Sequence, residues 1–575
     1  MKKVRRILTI AGLFVFLLAG CGAPSQNADA EFEEFTRELF CSEVSSNTLT
    51  LHYSLQDPQN YQVETKEISL GMFETDEKSS KAGIENLSAA LEQFSYKQLK
   101  RENRLTYDVI KSFLKTAERG SDYLLYTEPM NVVSGVQTQL PVLLAEYGFR
   151  GRQDVETYLK LLEKVPEYLE SLAAFEQKKA DAGLFMSAEQ AQTVAEQCNA
   201  FGKEKENHYL ITSFVERVKE VSELSEEEKS RYMQENAACL ENAVFPAYEK
   251  LAETIERLKD SGKNEKGLCF LPKGKEYYEY VVEKETGSER GVQNLEKMAK
   301  AQILEDLQGI QKAVRTDTLQ ESSAQTGERE EERMVSRSLL ILGDLEEKIR
   351  GKFPKLPETQ TRVKLVPEAM QQHLSPAFYM IPEIDHLSEN VIYLNPGYMQ
   401  DNLSLYTTLA HEGFPGHLYQ TVYYASKEPD PVRSVFDFGG YTEGWATYAE
   451  MCSYYLTGLE KADAAFLQKN ASVMLGLYAL ADMGVHYDGW SEEDTLEFFS
   501  AYGIDQPETV SRIWQLIIGD PGNYLKYYIG YLEFLELKKN YMAENPDTFS
   551  QKSFHKSVLD VGPAPFAVVE KYMKE

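Results

Sequence analysis

The residues best suited to chemistry lie in two short segments of this chain. The first reads Thr408-Leu409-Ala410-His411-Glu412-Gly413-Phe414-Pro415-Gly416-His417-Leu418-Tyr419-Gln420. It opens like the H-E-x-x-H helix in which two histidines one turn apart grip zinc and the glutamate is the general base. Here the second histidine follows the first by six residues, not four. On a regular helix six steps of about 100° leave the two side chains roughly 120° apart. The position four residues on is Pro415, which offers no ligand atom. Proline and glycine break or bulge helices, so His411 and His417 can share a metal only across an irregular turn.

The second segment is Gly440-Tyr441-Thr442-Glu443-Gly444-Trp445-Ala446-Thr447-Tyr448-Ala449-Glu450. Glu443 and Glu450 are seven residues apart, which places them within about 20° of each other on a helix. Both could be solvated surface carboxylates. The same helix, however, carries Trp445, Ala446, Tyr448, Met451, Tyr454 and Tyr455. A carboxylate in apolar surroundings needs a partner, and a metal or a ligating histidine supplies one.

Helices must position these segments, because apolar residues recur at three and four through most of the chain. Val155-Tyr158-Leu159-Leu162-Val165 is one such stripe. Others run through Asn86–Leu114, Glu226–Lys259, Gly291–Gln311, Met334–Lys352 and Ala464–Met483. Pro246 should kink or split the second of these. Strand patterns are few, the best being Arg362–Val366 and Val391–Asn395. Thr318–Glu331 reads as an exposed loop. The expected fold is mainly α: one large helical domain over residues 32–575 with a small β-sheet.

The N-terminus indicates export. Lys2, Lys3, Arg5 and Arg6 precede an apolar run from Ile7 to Ala19, shorter than the roughly 20 residues of a membrane span. It ends in Leu18-Ala19-Gly20-Cys21, which resembles the lipobox of bacterial lipoproteins. That resemblance implies a signal peptide over residues 1–20, lipidation of Cys21 and a flexible tether over residues 21–31. The expected location is the outer face of a bacterial cell membrane. The net charge of −30 repels phosphate backbones, which excludes nucleic acid as a partner. Cys41, Cys198, Cys239, Cys269 and Cys452 are scattered, so no cysteine zinc site is expected.

His411-Glu-Gly-Phe-Pro-Gly-His417 and Glu443-Gly-Trp-Ala-Thr-Tyr-Ala-Glu450 resemble the two signatures of the bacterial domain-of-unknown-function 885 family. Gln139–Leu144, Gly267–Pro272 with Tyr277-Tyr278, Asp482–His486, and Phe554-His555 with Gly562 and Pro565 are similar to its recurring segments. The family is related in turn to gluzincin-type zinc peptidases. The resemblance implies a helical metallopeptidase-like domain with a deep cleft and a sheet beside the zinc helix. One zinc per chain would be held by His411, His417 and Glu443, with Glu450 orienting a histidine. Glu412 would take a proton from the water that attacks a short peptide substrate.

Further roles accompany this reading. Val391–Asn395, with Tyr393 and Asn395, would be the edge strand that pairs with the substrate backbone. Asp482 is one turn from His486 and could orient its imidazole. Tyr527, His486 or His555 would steady the oxyanion, with Tyr528 in reserve. His52, His208, His373 and His386 lie outside any motif. Two departures from the family stand out: Leu418 replaces a second histidine, and Tyr478 replaces an arginine expected four residues before Asp482. An amidase or deacylase, or a metal- or peptide-binding lipoprotein without catalysis, would use the same ligands. Glu412 beside His411 argues against the binder.

Overall fold

The computed structural model describes residues 28–64, 67–203, 205, 207–262, 265–313, 328–366, 371, 375–398 and 401–575. The expected signal peptide, Cys21 and His373 lie outside these residues, as do residues 318–327 of the expected loop. The chain is mainly helical with one three-stranded sheet. Helices begin at Ala28 and at Glu328, so residues 28–31 of the expected tether and 328–331 of the expected loop are helical instead.

The apolar stripes become buried helix faces. Val155, Tyr158, Leu159, Leu162 and Val165 all turn inward from the helix Arg152–Asp181. The stripe read through Glu226–Lys259 splits where Pro246 demands it. A single π-turn, Leu240–Val244, ends one helix, and Phe245–Leu258 starts the next with proline in its first turn, where its missing N–H costs nothing.

The buried apolar residues form two main cores. One lies wholly between Leu49 and Leu258 and includes Leu144, Tyr158, Val194, Phe214 and Ile255. The other combines Phe32–Leu114 with residues from Leu184 to Tyr572 and includes Leu409, Trp445, Leu477 and Phe534. Val142, Val366, Phe378 and Tyr393 form a small third cluster, where the sheet meets the helix Val136–Ala145.

The sheet corrects one expectation. Strands β1 (Gln360–Leu365), β2 (Ala377–Met380) and β3 (Glu389–Leu394) lie in the order β1-β3-β2. β3 pairs in parallel with β1 and antiparallel with β2. It is therefore the central strand, and its backbone has no open edge for a substrate. Tyr393 spends its hydroxyl on Glu146. Asn395 bonds to the carbonyls of Gln371 and Pro376. The outer strand on the side of the histidine segment is β2.

Candidate metal centre

Four helices build the site. The first histidine helix, Asn402–Glu412, is started by Asp401, whose carboxylate accepts from the Ser404 amide at 2.8 Å. It stops at Gly413, where φ −109° and ψ −101° leave the helical region. After Phe414, Pro415 and Gly416 a second histidine helix starts at His417 and runs to Ala425. Gly416 passes so close to the His411 carbonyl that a Cβ there would collide with it. The Trp445 indole donates to the Pro415 carbonyl at 2.9 Å and ties this turn to the third helix. The expected irregular turn is present, and the His411 and His417 rings lie 4.9 Å apart.

The glutamate helix, Gly439–Ser453, crosses the tyrosine helix, Asn523–Glu544, at a glycine contact. Gly444 and Gly530 meet backbone to backbone, so neither has room for a side chain. This crossing brings Glu443 to the histidines. Its Oε2 lies 3.3 Å from His417 Nε2 and 3.6 Å from His411 Nε2. One ligand atom from each of the three residues falls within 4.8 Å of the others. Glu450 Oε2 lies 3.0 Å from His411 Nδ1. A carboxylate only accepts, so Nδ1 carries a proton towards Glu450, and Nε2 would offer its lone pair to a metal once its own proton is lost.

The residues fit zinc. Bonds of about 2.0–2.2 Å to nitrogen and oxygen in a tetrahedron set neighbouring ligands roughly 3.3–3.6 Å apart, the separations found around Glu443. Burial alone would push the Glu443 carboxyl up, but hydrogen bonds from His411 and His417 outweigh it and hold it well below the usual range. The imidazoles thus already supply the positive partner that a metal would replace.

Glu412 is buried beside this trio, and its Oε2 accepts from the Tyr379 amide of β2 at 2.7 Å. The Tyr527 ring centre is 6.3 Å from that of His411. Burial, with Glu443 and Glu412 nearby, pushes its phenol well above the usual range, so it stays a proton donor.

Three expected contributors do other work. His486 accepts at Nδ1 from the Leu268 amide (3.1 Å) and lies 2.9 Å from the Ile517 carbonyl through Nε2. Asp482 does not orient it. That carboxylate accepts from the Tyr278 hydroxyl at 2.5 Å and from the Gly522 amide at 3.0 Å, anchoring the start of the tyrosine helix. His555 lies between the Lys352 carbonyl (2.8 Å) and the Tyr448 hydroxyl (2.9 Å), stacked on Phe353. Carbonyls only accept, so each imidazole is fixed in one neutral tautomer. Burial pushes His486 down to about 4 and His555 down to about 3. Neither has a ring nitrogen to spare for an oxyanion. Tyr528, the reserve phenol, lies against Gly476 of the helix Lys461–Met483.

The sequence was matched over residues 69–573 by the family model described as "Bacterial protein of unknown function (DUF885)". The chain belongs to the DUF885 family. No curated protein matches this DUF885 chain. A "putative lipoprotein" from Colwellia psychrerythraea has a similar structure, with a TM-score of 0.84 at 18% identity, covering 95% of this chain and 98% of that one. A "putative lipoprotein of unknown function" from Shewanella oneidensis has a TM-score of 0.65 at 18% identity, covering 94% and 100%. At these identities the likeness shows a shared fold.

Three of the four other segments that resemble the family act as braces. Gly267 and Leu268 meet Val485 and His486, Tyr278 meets Asp482, and Gly562 packs against the Tyr424 ring. Two features escaped sequence reasoning. The Tyr379 amide is a backbone group on a strand too short to read. Lys526, only 5% exposed, adjoins Tyr527 and lies close enough to Glu443 to help lower its carboxyl; a lysine inside an otherwise apolar, aromatic run was its signal.

Proposed function

We propose that this DUF885 protein is a zinc-dependent hydrolase that cleaves peptide bonds of short peptides. One observation carries the reading: two imidazole Nε2 atoms and one carboxylate oxygen converge at metal-ligand spacing beside a buried glutamate. His411, His417 and Glu443 would hold the ion, with Glu450 fixing the His411 tautomer. When bound, zinc supplies a Lewis acid that brings the pKa of water to about 7. The Glu412 carboxylate, aimed by the Tyr379 amide, accepts the proton of the attacking water and returns it to the leaving amine. The Tyr527 phenol donates a hydrogen bond to the carbonyl oxygen as negative charge gathers there. The substrate would enter a cleft between the sheet and the histidine helices, along the outer edge of β2. We further propose export and a lipid anchor at Cys21, a reading supported by the lipobox-like start and by the likeness to two putative lipoproteins.

The test is metal analysis of the chain lacking residues 1–21, joined to a hydrolysis screen of short peptides and N-acyl amino acids. One zinc per chain with peptide turnover is expected. Failure to take up any transition metal on titration would contradict the mechanism, and turnover of N-acyl amino acids alone would move the substrate class.

A further inference from the structure

Lys526 lies one residue before Tyr527, on the face of the tyrosine helix that meets the start of the glutamate helix. Its Cδ is 3.5 Å from where a Gly439 Cβ would stand. Its ammonium is 5.5 Å from the centre of the Tyr527 ring. The residue is 95% buried, being 5% exposed. Among the described residues no carboxylate pairs with it within 4.0 Å. Lys179, also buried, shows what a lysine in that position normally has: Glu128 and the Thr127 carbonyl both bind its ammonium.

The surroundings add positive potential. The Phe438 carbonyl accepts from the amides of Tyr441 and Thr442, while the first amides of a helix have no partner within it. They form the positive end of the helix dipole. The stem of Lys526 is buried, whereas its ammonium, with no carboxylate paired to it, still reaches solvent beside the site and is open to an anion. Glu443 feels the charge of Lys526, and the proposed metal would occupy its oxygen.

We infer that Lys526 is a specificity residue that binds a carboxylate of the substrate, from its free C-terminus or from an acidic side chain beside the cleaved bond. The inference rests on the hydrolase reading for the word substrate, and on the geometry alone for the carboxylate. A lysine–carboxylate hydrogen bond between charged groups is directional and short, so the substrate carboxylate would fix which peptide bond lies over Glu412.

The experiment is calorimetric titration of the full Glu412→Gln chain, with and without zinc, using three probes. These are N-acetyl-trialanine as the free acid, the same peptide as its C-terminal amide, and N-acetyl-Ala-Asp-Ala amide. The acid or the aspartyl peptide should bind about ten- to hundredfold more tightly than the plain amide, and which of them gains identifies the source of the carboxylate. Lys526→Met should reduce that peptide to the level of the amide, and Lys526→Arg should retain part of the preference. Lys526→Met keeps an apolar stem of similar length and removes only the charge, so an unchanged or higher melting temperature certifies its fold. Equal affinities of all three probes, no binding of any, or a preference that survives Lys526→Met would overturn the inference. A preference lost with Lys526→Met in a protein that hydrolyses nothing would overturn the hydrolase reading and leave the carboxylate site standing.

Discussion

Glu443 and Glu450 share one face of one helix but occupy different depths of the site. Glu443 reaches the Nε2 atoms of both histidines, whereas Glu450 touches only Nδ1 of His411. The seven-residue spacing made the shared face legible. It could not assign the ligand, since that depends on where the histidine turn ends. Glu443→Ala should abolish zinc binding, while Glu450→Ala should weaken it by about 10–100-fold, as read by competition with a chelator. The reverse order would exchange their roles. His486 and His555 show the limit of local pattern. Asp482 lies four residues before His486, yet its carboxylate is drawn to Tyr278 and Gly522, which no helical spacing reveals.

At the scale of elements, the crossing of the glutamate and tyrosine helices sets the whole site. Gly444 and Gly530 allow the two backbones to touch, and that contact places Glu443, Tyr527 and Lys526 together. Gly530→Val should therefore separate the helices, costing at least about 1–3 kcal/mol as overpacking does, and lower zinc affinity with it. Thermal unfolding and zinc titration check both; an unchanged melting temperature and affinity would show that the crossing does not position the ligands. Strands were legible one at a time and their order was not. Val391–Asn395 and Arg362–Val366 had β-rich patterns, and both regions are strands. β2 spans only Ala377–Met380, too short to announce itself, and it moves β3 from edge to centre. Edge status belongs to the sheet, so no single segment can declare it.

Across the whole molecule, the helical body was legible because its apolar stripes repeat over many turns. The division into two cores was not, since amphipathic periodicity says which face is buried and not against what. Burial of neutral histidines gives the molecule a common response to acid. His52 and His555 are pushed down to about 3, and His208 and His486 to about 4. The unfolded chain would take up these protons near 6.5. Their contribution to stability is thus present above about 6.5 and lost as pH falls towards 4. Asp482 and Glu176 have the opposite sign: burial raises them to about 7 and about 8, so their contribution is lost as pH rises through those values. From these groups the metal-free protein gains stability up to about pH 6.5 and loses it above, so its melting temperature should peak near there. His555→Gln should flatten the fall in melting temperature between pH 7 and pH 5, which holds the upper part of a window running from about 6.5 down to about 3. A slope as steep as in the unaltered protein would contradict the assignment of His555 as a buried neutral brace.

On the proposed mechanism Glu412 moves a proton at a metal held by its neighbours, and the hydrolysis rate of the zinc-loaded Glu412→Gln protein is the deciding measurement. The amide keeps the shape of the carboxylate and can still accept from the Tyr379 amide, but it cannot take a proton from water. Zinc content should equal that of the unaltered chain, and kcat should fall by roughly 10²–10⁴-fold with little change in substrate affinity. A Glu412→Gln protein as active as the unaltered one would show that another group is the base, and the account of this site would fail.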